Sequence, residues 1–209
     1  MNKVIAVPIF AGIVIVIFTL LLMSNNELSE SDSQLVYETG FTYYDIEKIQ
    51  NALAEQNIFV SSPTAITDHT TSQYCAYFEK GLLRNVEYCT TTAVLDVDGN
   101  PLGNINIGGN TQSPVLAIAN LETLTLESNR DNVLVVFETV IEILVCDCWD
   151  EKSGEYESIS DWLDTTRAFY ADSGNRNVKS KIDNLEGYEI FLEITSKDNS
   201  VLQTLIILK

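Results

Sequence analysis

NVEYCTTTAVLDVDGNPLGNINI, residues 85–107, is the stretch on which the fold turns. Tyr88, Thr90, Thr91, Thr92 and Val94 favour an extended backbone, because aromatic and β-branched side chains fit a pleated surface. Asp98-Gly99-Asn100-Pro101 interrupts the run, and Asp-Gly supplies the backbone freedom a tight hairpin turn requires. Through 102–107 apolar residues then alternate with Asn and Gly, the period of a strand with one buried face. The stretch predicts an antiparallel β-hairpin.

Strand signals continue outward from it. Residues 73–79 read as a strand before the hairpin. Residues 114–119 and 121–126 read as two strands split at Asn120, and 129–131 as a turn. Residues 132–146 carry Val133, Val135, Val136, Val140, Ile141, Ile143 and Val145, and this β-branched content predicts a long central strand. Residues 187–195 and 200–208 form a second hairpin around Ser196-Lys197-Asp198-Asn199.

Two segments have helical spacing instead. In 42–56, Tyr43, Ile46 and Leu53 share a face and Thr42 with Asp45 resembles a capping pair. In 158–172, Ile159, Trp162, Leu163, Thr166, Phe169 and Tyr170 line one side, Ser158 and Asp161 suit the start, and Ser173-Gly174-Asn175 ends it. This order predicts an α+β fold: a mainly antiparallel β-sheet with two packed helices, preceded by one N-terminal transmembrane helix.

That membrane segment is Val4 to Met23, VIAVPIFAGIVIVIFTLLLM, which carries no charge. A helix of this length spans roughly 30 Å, the hydrocarbon thickness of a bilayer. The apolar run is long, and Leu22-Met23-Ser24 lacks the small-residue pattern of a cleavage site, so an uncleaved signal-anchor is expected. Lys3 precedes the helix and acids follow it, which predicts a cytoplasmic N-terminus and an extracytoplasmic C-terminal domain at the cell membrane. The expected organisation is an anchor at 1–23, a polar tether at 24–34 and one extracytoplasmic domain at 35–209.

Thirty acids against 12 bases give a formal net charge of −18. Nucleic acid is excluded as a partner, because phosphate neutralisation needs clustered Lys and Arg. The bilayer through Val4 to Met23, and a membrane or envelope protein, are the expected partners.

The four cysteines are Cys75, Cys89, Cys146 and Cys148. Outside the cytoplasm disulfides are their default state. A hairpin of 73–79 with 85–91 centred on Leu82 places Cys75 directly opposite Cys89. Crossed pairs, Cys75 with Cys148 and Cys89 with Cys146, satisfy the same count. The alternative is a soft-metal site for copper or zinc, or a redox dithiol, on Cys146 and Cys148. His69, the lone histidine, is the one further candidate ligand.

No catalytic residues are assigned, because no motif with a mechanism is present: no Gly-x-Ser-x-Gly, no phosphate loop, no paired zinc histidines. Asp96-Val97-Asp98-Gly99-Asn100 looks like part of a calcium loop, but Ile107 stands where the closing glutamate belongs, so a hairpin turn is expected. The acids Asp147, Asp150, Glu151, Glu155, Glu157, Asp161 and Asp164 read as a solvated loop and helix start. A membrane-tethered binding or assembly module is the expected function.

Overall fold

Asp96 closes the hairpin as its sequence requires. Its Oδ1 accepts hydrogen bonds from the backbone N–H groups of Asp98 at 3.0 Å and Asn100 at 2.8 Å. Gly99 takes the positive φ of 79° that a Cβ would disfavour. The computed structural model describes residues 40–66, 70–79, 82–147, 149 and 156–209. The expected anchor at 1–23 and tether at 24–34 lie outside the described residues. Among the described residues no helix is long and apolar enough to cross a membrane.

The fold is α+β with an antiparallel sheet. Its strands are β1 (Phe59–Val60), β2 (Thr64–Ile66), β5 (Tyr88–Leu95), β6 (Pro101–Gly109), β7 (Pro114–Thr123), β8 (Val178–Leu185), β9 (Tyr188–Lys197) and β10 (Ser200–Leu208). They run in the order β1-β5-β6-β7-β10-β9-β8, with β2 also paired to β5. Two three-stranded meanders, β5-β6-β7 and β8-β9-β10, thus meet where β10 pairs with β7. A separate two-stranded ribbon joins β3 (Ala76–Glu79) to β4 (Leu82–Asn85). The helices are α1 (Asp45–Glu55), the single turn α2 (Thr71–Tyr74), α3 (Arg130–Leu144) and α4 (Ile159–Asp172).

Register assigns the two faces. Thr92, Ile105, Ala119, Leu205 and Leu192 stand opposite one another on successive strands, and all are buried. This face joins the main core with Ile46, Ile49 and Leu53 of α1, Val136 and Phe137 of α3, and Trp162 and Leu163 of α4. At about 25 cal/mol per Å2 of apolar surface removed from water, this helix-on-sheet layer supplies most of the favourable energy. The opposite row, Ala93, Asn104, Asn120, Thr204, Glu193 and Lys179, is polar. One end of that second face carries a smaller cluster of Ile66, Cys75, Cys89, Leu116 and Ile118.

Both helices expected from sequence form, and α4 starts as read: the Ser158 hydroxyl accepts from Asp161 N–H at 3.0 Å. Other expectations are corrected. Residues 132–146 are not a strand. Residues 132–144 fall in α3, where Val133, Val136, Phe137, Val140, Ile141 and Leu144 are buried at helical spacing. β-Branching costs only a few tenths of a kcal/mol per residue in a helix, which burial of one whole face exceeds. Among the described residues three long helices, not two, therefore pack on the sheet. Asn120 does not split a strand: β7 runs through it, and its side chain hydrogen-bonds across the sheet. The first hairpin also differs in register. Ala76 pairs with Asn85 and Glu79 with Leu82, so Cys89 lies beyond β4, on β5.

Candidate functional site

The start of α1 shapes a cleft. The Thr42 N–H donates to Asp45 Oδ2 at 2.6 Å and its hydroxyl donates to the same oxygen at 3.0 Å. Lys48 Nζ lies 2.6 Å from Asp45 Oδ1. Burial works to raise the Asp45 carboxyl, but these bonds from Lys48 and Thr42 outweigh it and hold it below the usual aspartate value. The locked turn projects Tyr43 and Tyr44 beside the sheet edge.

Tyr43 reaches the β6–β7 loop, where its hydroxyl donates to the Asn110 carbonyl at 2.7 Å. That loop is held by Asn110 Oδ1, which accepts from Gln112 N–H at 2.8 Å and Ser113 N–H at 2.7 Å. The Tyr43 ring meets Tyr88 of β5 edge-on, with centroids 5.0 Å apart and planes at 86°. Burial, and then the neighbouring Tyr88, push the Tyr43 phenol up to about 12, so it stays neutral. Tyr44 is 80% exposed. With Ile46, Pro63, Ala65, Thr90, Thr111 and Gln112 these tyrosines line a cleft of about 460 Å3, in which Glu47 is the one formal charge. That volume lies within the range of small-molecule sites, roughly 300–1,000 Å3. The cleft offers aromatic faces, hydroxyls and one carboxylate, a set suited to holding a ligand.

A second hollow, of about 240 Å3, lies at the C-terminal end of α3 among Glu138, Glu142, Cys146, Asp147, Trp149, Ser158, Ile159 and Ser160. Burial, then the charges of Asp147 and Glu138, raise the Glu142 carboxyl above the usual glutamate value. Cys146 is disulfide-bonded, and a disulfide sulfur is not the thiolate that copper or zinc requires. Cys148 and His69 lie outside the described residues. Among the described residues no group of three potential metal ligands is present.

Cys75 and Cys89 are joined in a disulfide with Cα atoms 6.1 Å apart. The bond ties the segment before β3 down onto β5. It also lies on β6, because a Cβ at Gly108 would meet Cys75 Sγ at 2.9 Å. The acids expected to be solvated serve local ends where described. Asp161 Oδ2 accepts from Glu157 N–H at 3.2 Å, and Asp164 pairs with Arg130 at 2.6 Å. Asp150, Glu151 and Glu155 lie outside the described residues.

Two polar features carry no sequence motif. Arg167 of α4 is 4% exposed. It donates to Gln203 Oε1 at 2.5 Å and to the Leu126 carbonyl, and burial lowers its guanidinium pKa from the ordinary value. On the opposite face of the sheet, Asn106 and Asn120 donate to Asn104 Oδ1 at 3.0 and 3.2 Å, and the Thr204 hydroxyl donates to Asn120 Oδ1 at 3.0 Å. The NINI alternation in β6 was the only trace of this row in the sequence.

No protein-family model, no curated protein and no solved structure matches the chain.

Proposed function

We propose that this chain is a membrane-tethered extracytoplasmic binding module that takes its ligand in the cleft formed by Tyr43, Tyr44 and Tyr88. The observation that carries the reading is the cleft itself. Four separate stretches of chain converge on it, and its lining joins aromatic faces to hydroxyls. Glu47 is its one carboxylate, and the Tyr43 hydroxyl is already committed to Asn110. A lining of this kind retains a ligand and has no acid–base pair to transform it. The tether rests on the uncharged run from Val4 to Met23, which holds the domain beside a bilayer and near envelope or membrane proteins.

Two measurements test the two halves. Protease added to intact cells degrades the domain if it is extracytoplasmic and spares it if it is not. A thermal-shift screen of the solubilised full chain against small metabolites, repeated with Tyr44→Ala, finds ligands whose stabilisation disappears in the variant. Hits that stabilise both proteins equally would remove the cleft from the proposal.

A further inference from the structure

The chemistry of the cleft narrows its ligand. Three tyrosine rings line it, and an aromatic face carries the negative lobe of the ring quadrupole. Tyr43 and Tyr88 meet with their planes at 86°. In this edge-to-face pair both rings line the cleft. The Tyr43 hydroxyl is held by the Asn110 carbonyl, so this residue offers its ring to a ligand. Tyr44, 80% exposed, is the third ring of the lining. Glu47 is the one charged group in the lining, and no Lys, Arg or His is among the lining residues.

The whole chain agrees in sign. Thirty acids against 12 bases give a net charge of −18, which raises the local concentration of cations and repels anions. A metal cation is poorly served, because one carboxylate among tyrosines is far from an oxygen cage. An organic cation is well served: ammonium over aromatic faces is the arrangement that retains methylated amines.

We infer that the cleft binds a small organic ammonium ion. The ammonium group sits against the faces of Tyr43, Tyr44 and Tyr88 with Glu47 as counter-charge, while Thr90, Thr111 and Gln112 hydrogen-bond the remainder of the molecule. This rests on the cleft being the ligand site proposed above. A free small molecule is favoured over a lysine on a polypeptide, because α1, β2, β5 and the β6–β7 loop wall the cleft on several sides and its volume of about 460 Å3 matches small-molecule sites.

The test titrates the solubilised full chain calorimetrically with choline and with its uncharged isostere 3,3-dimethylbutan-1-ol. Choline should bind roughly two- to thirty-fold more tightly than the isostere, the range expected for a cation on aromatic faces. Glu47→Gln and Tyr44→Ala, both at exposed positions of α1 and its approach, should each weaken choline several-fold with an unchanged melting temperature. Equal affinity for the isostere, lost in Tyr44→Ala, would overturn the cation and leave the cleft as a binding site. Choline binding untouched by either variant would overturn both. Failure of both choline and tetramethylammonium to bind would overturn the cation. A lysine-containing peptide that outcompetes choline in a Tyr44-dependent way would overturn the small-molecule source.

Discussion

Replacing the Cys75–Cys89 disulfide tests how the second face of the sheet is covered. The perturbation is the double variant Cys75→Ala/Cys89→Ala, because both residues are fully buried and serine would leave a buried hydroxyl. The bond closes a sequence separation of 14 residues. A loop of that size removes about 3 kcal/mol of chain entropy from the unfolded state. Around it Ile66, Leu116 and Ile118 are buried, with Tyr77, Val86, Val115, Ile206 and Leu208 partly so. Ordering each residue of the segment costs about 1–2 kcal/mol, so these contacts do not hold it alone. Urea unfolding followed by the fluorescence of buried Trp162 should therefore show a loss of about 3 kcal/mol. With a slope of about 2 kcal/mol per molar, the midpoint falls by about 1.5 M. Amide exchange should accelerate in 70–79 and 82–86 more than in β7 or β10. The disulfide at Cys146 stays intact in this variant, so the change is local. A loss below about 1 kcal/mol, or a peptide map joining Cys75 to another cysteine, would refute the reasoning.

Gly103→Ala should cost about 3 kcal/mol by urea midpoint, because its Cβ would stand 1.9 Å from the Asn120 carbonyl oxygen where Gly103 faces Leu121 at one end of the β6–β7 pairing. Arg167→Met should cost about 1–3 kcal/mol, since it strips the donors from Gln203 Oε1 and the Leu126 carbonyl. Adding Gln203→Leu should recover part of that loss, because the amide nitrogen of Gln203 already lacks a partner; a double variant no better than the single one counts against the account. Glu142 holds its proton more tightly when folded than its ordinary value of 4.5, so the folded state binds more protons than the unfolded state above that value. Its contribution is therefore fully present at lower pH and is lost as pH rises through the raised folded value. Unfolding free energies of Glu142→Gln measured from about pH 4 to 7 should lack that decline, and parallel pH curves would contradict it.

What could be read from the sequence follows the range over which each signal acts. The helices α1 and α4 and the hairpins β5–β6 and β9–β10 are announced by local chemistry: Thr42 with Asp45, Ser158 with Asp161, Asp98-Gly99, Asp198-Asn199. The Thr42–Asp45, Ser158–Asp161 and Asp96–Asn100 bonds each join residues only three or four positions apart. For α3, residue type and spacing disagreed. Val135, Val136, Val140 and Ile141 suggested a strand, while 133, 136, 137, 140, 141 and 144 have helical spacing, and length supports the second reading. Cys75–Cys89 is one of the pairings the sequence leaves open, and the structure makes it by a route other than the expected hairpin. The β3–β4 ribbon turns too early to oppose them, and Cys89 is reached only on the next strand. The cleft was not legible at all, because Tyr43, Pro63, Tyr88 and Thr111 come together only once the sheet edge and α1 have packed.

The second face of the sheet is closed at one end of β6. Asn104 and Asn106 alternate with Ile105 and Ile107 in the pattern of a strand half in water. Asn104 is half-buried, but Asn106 has no exposed surface, and its Oδ1 lacks a hydrogen-bond partner. Two residues further on, Gly108 lies directly under the Cys75–Cys89 bond. The disulfide-held segment thus turns one end of an otherwise polar face into interior, with Leu116 and Ile118 as its floor. An apolar cluster this small does not cover itself. A covalent tie with an unusually bare backbone beneath it achieves the cover, and a side chain at 108 would hold the bond away. Such a tie is stable where thiols are oxidised.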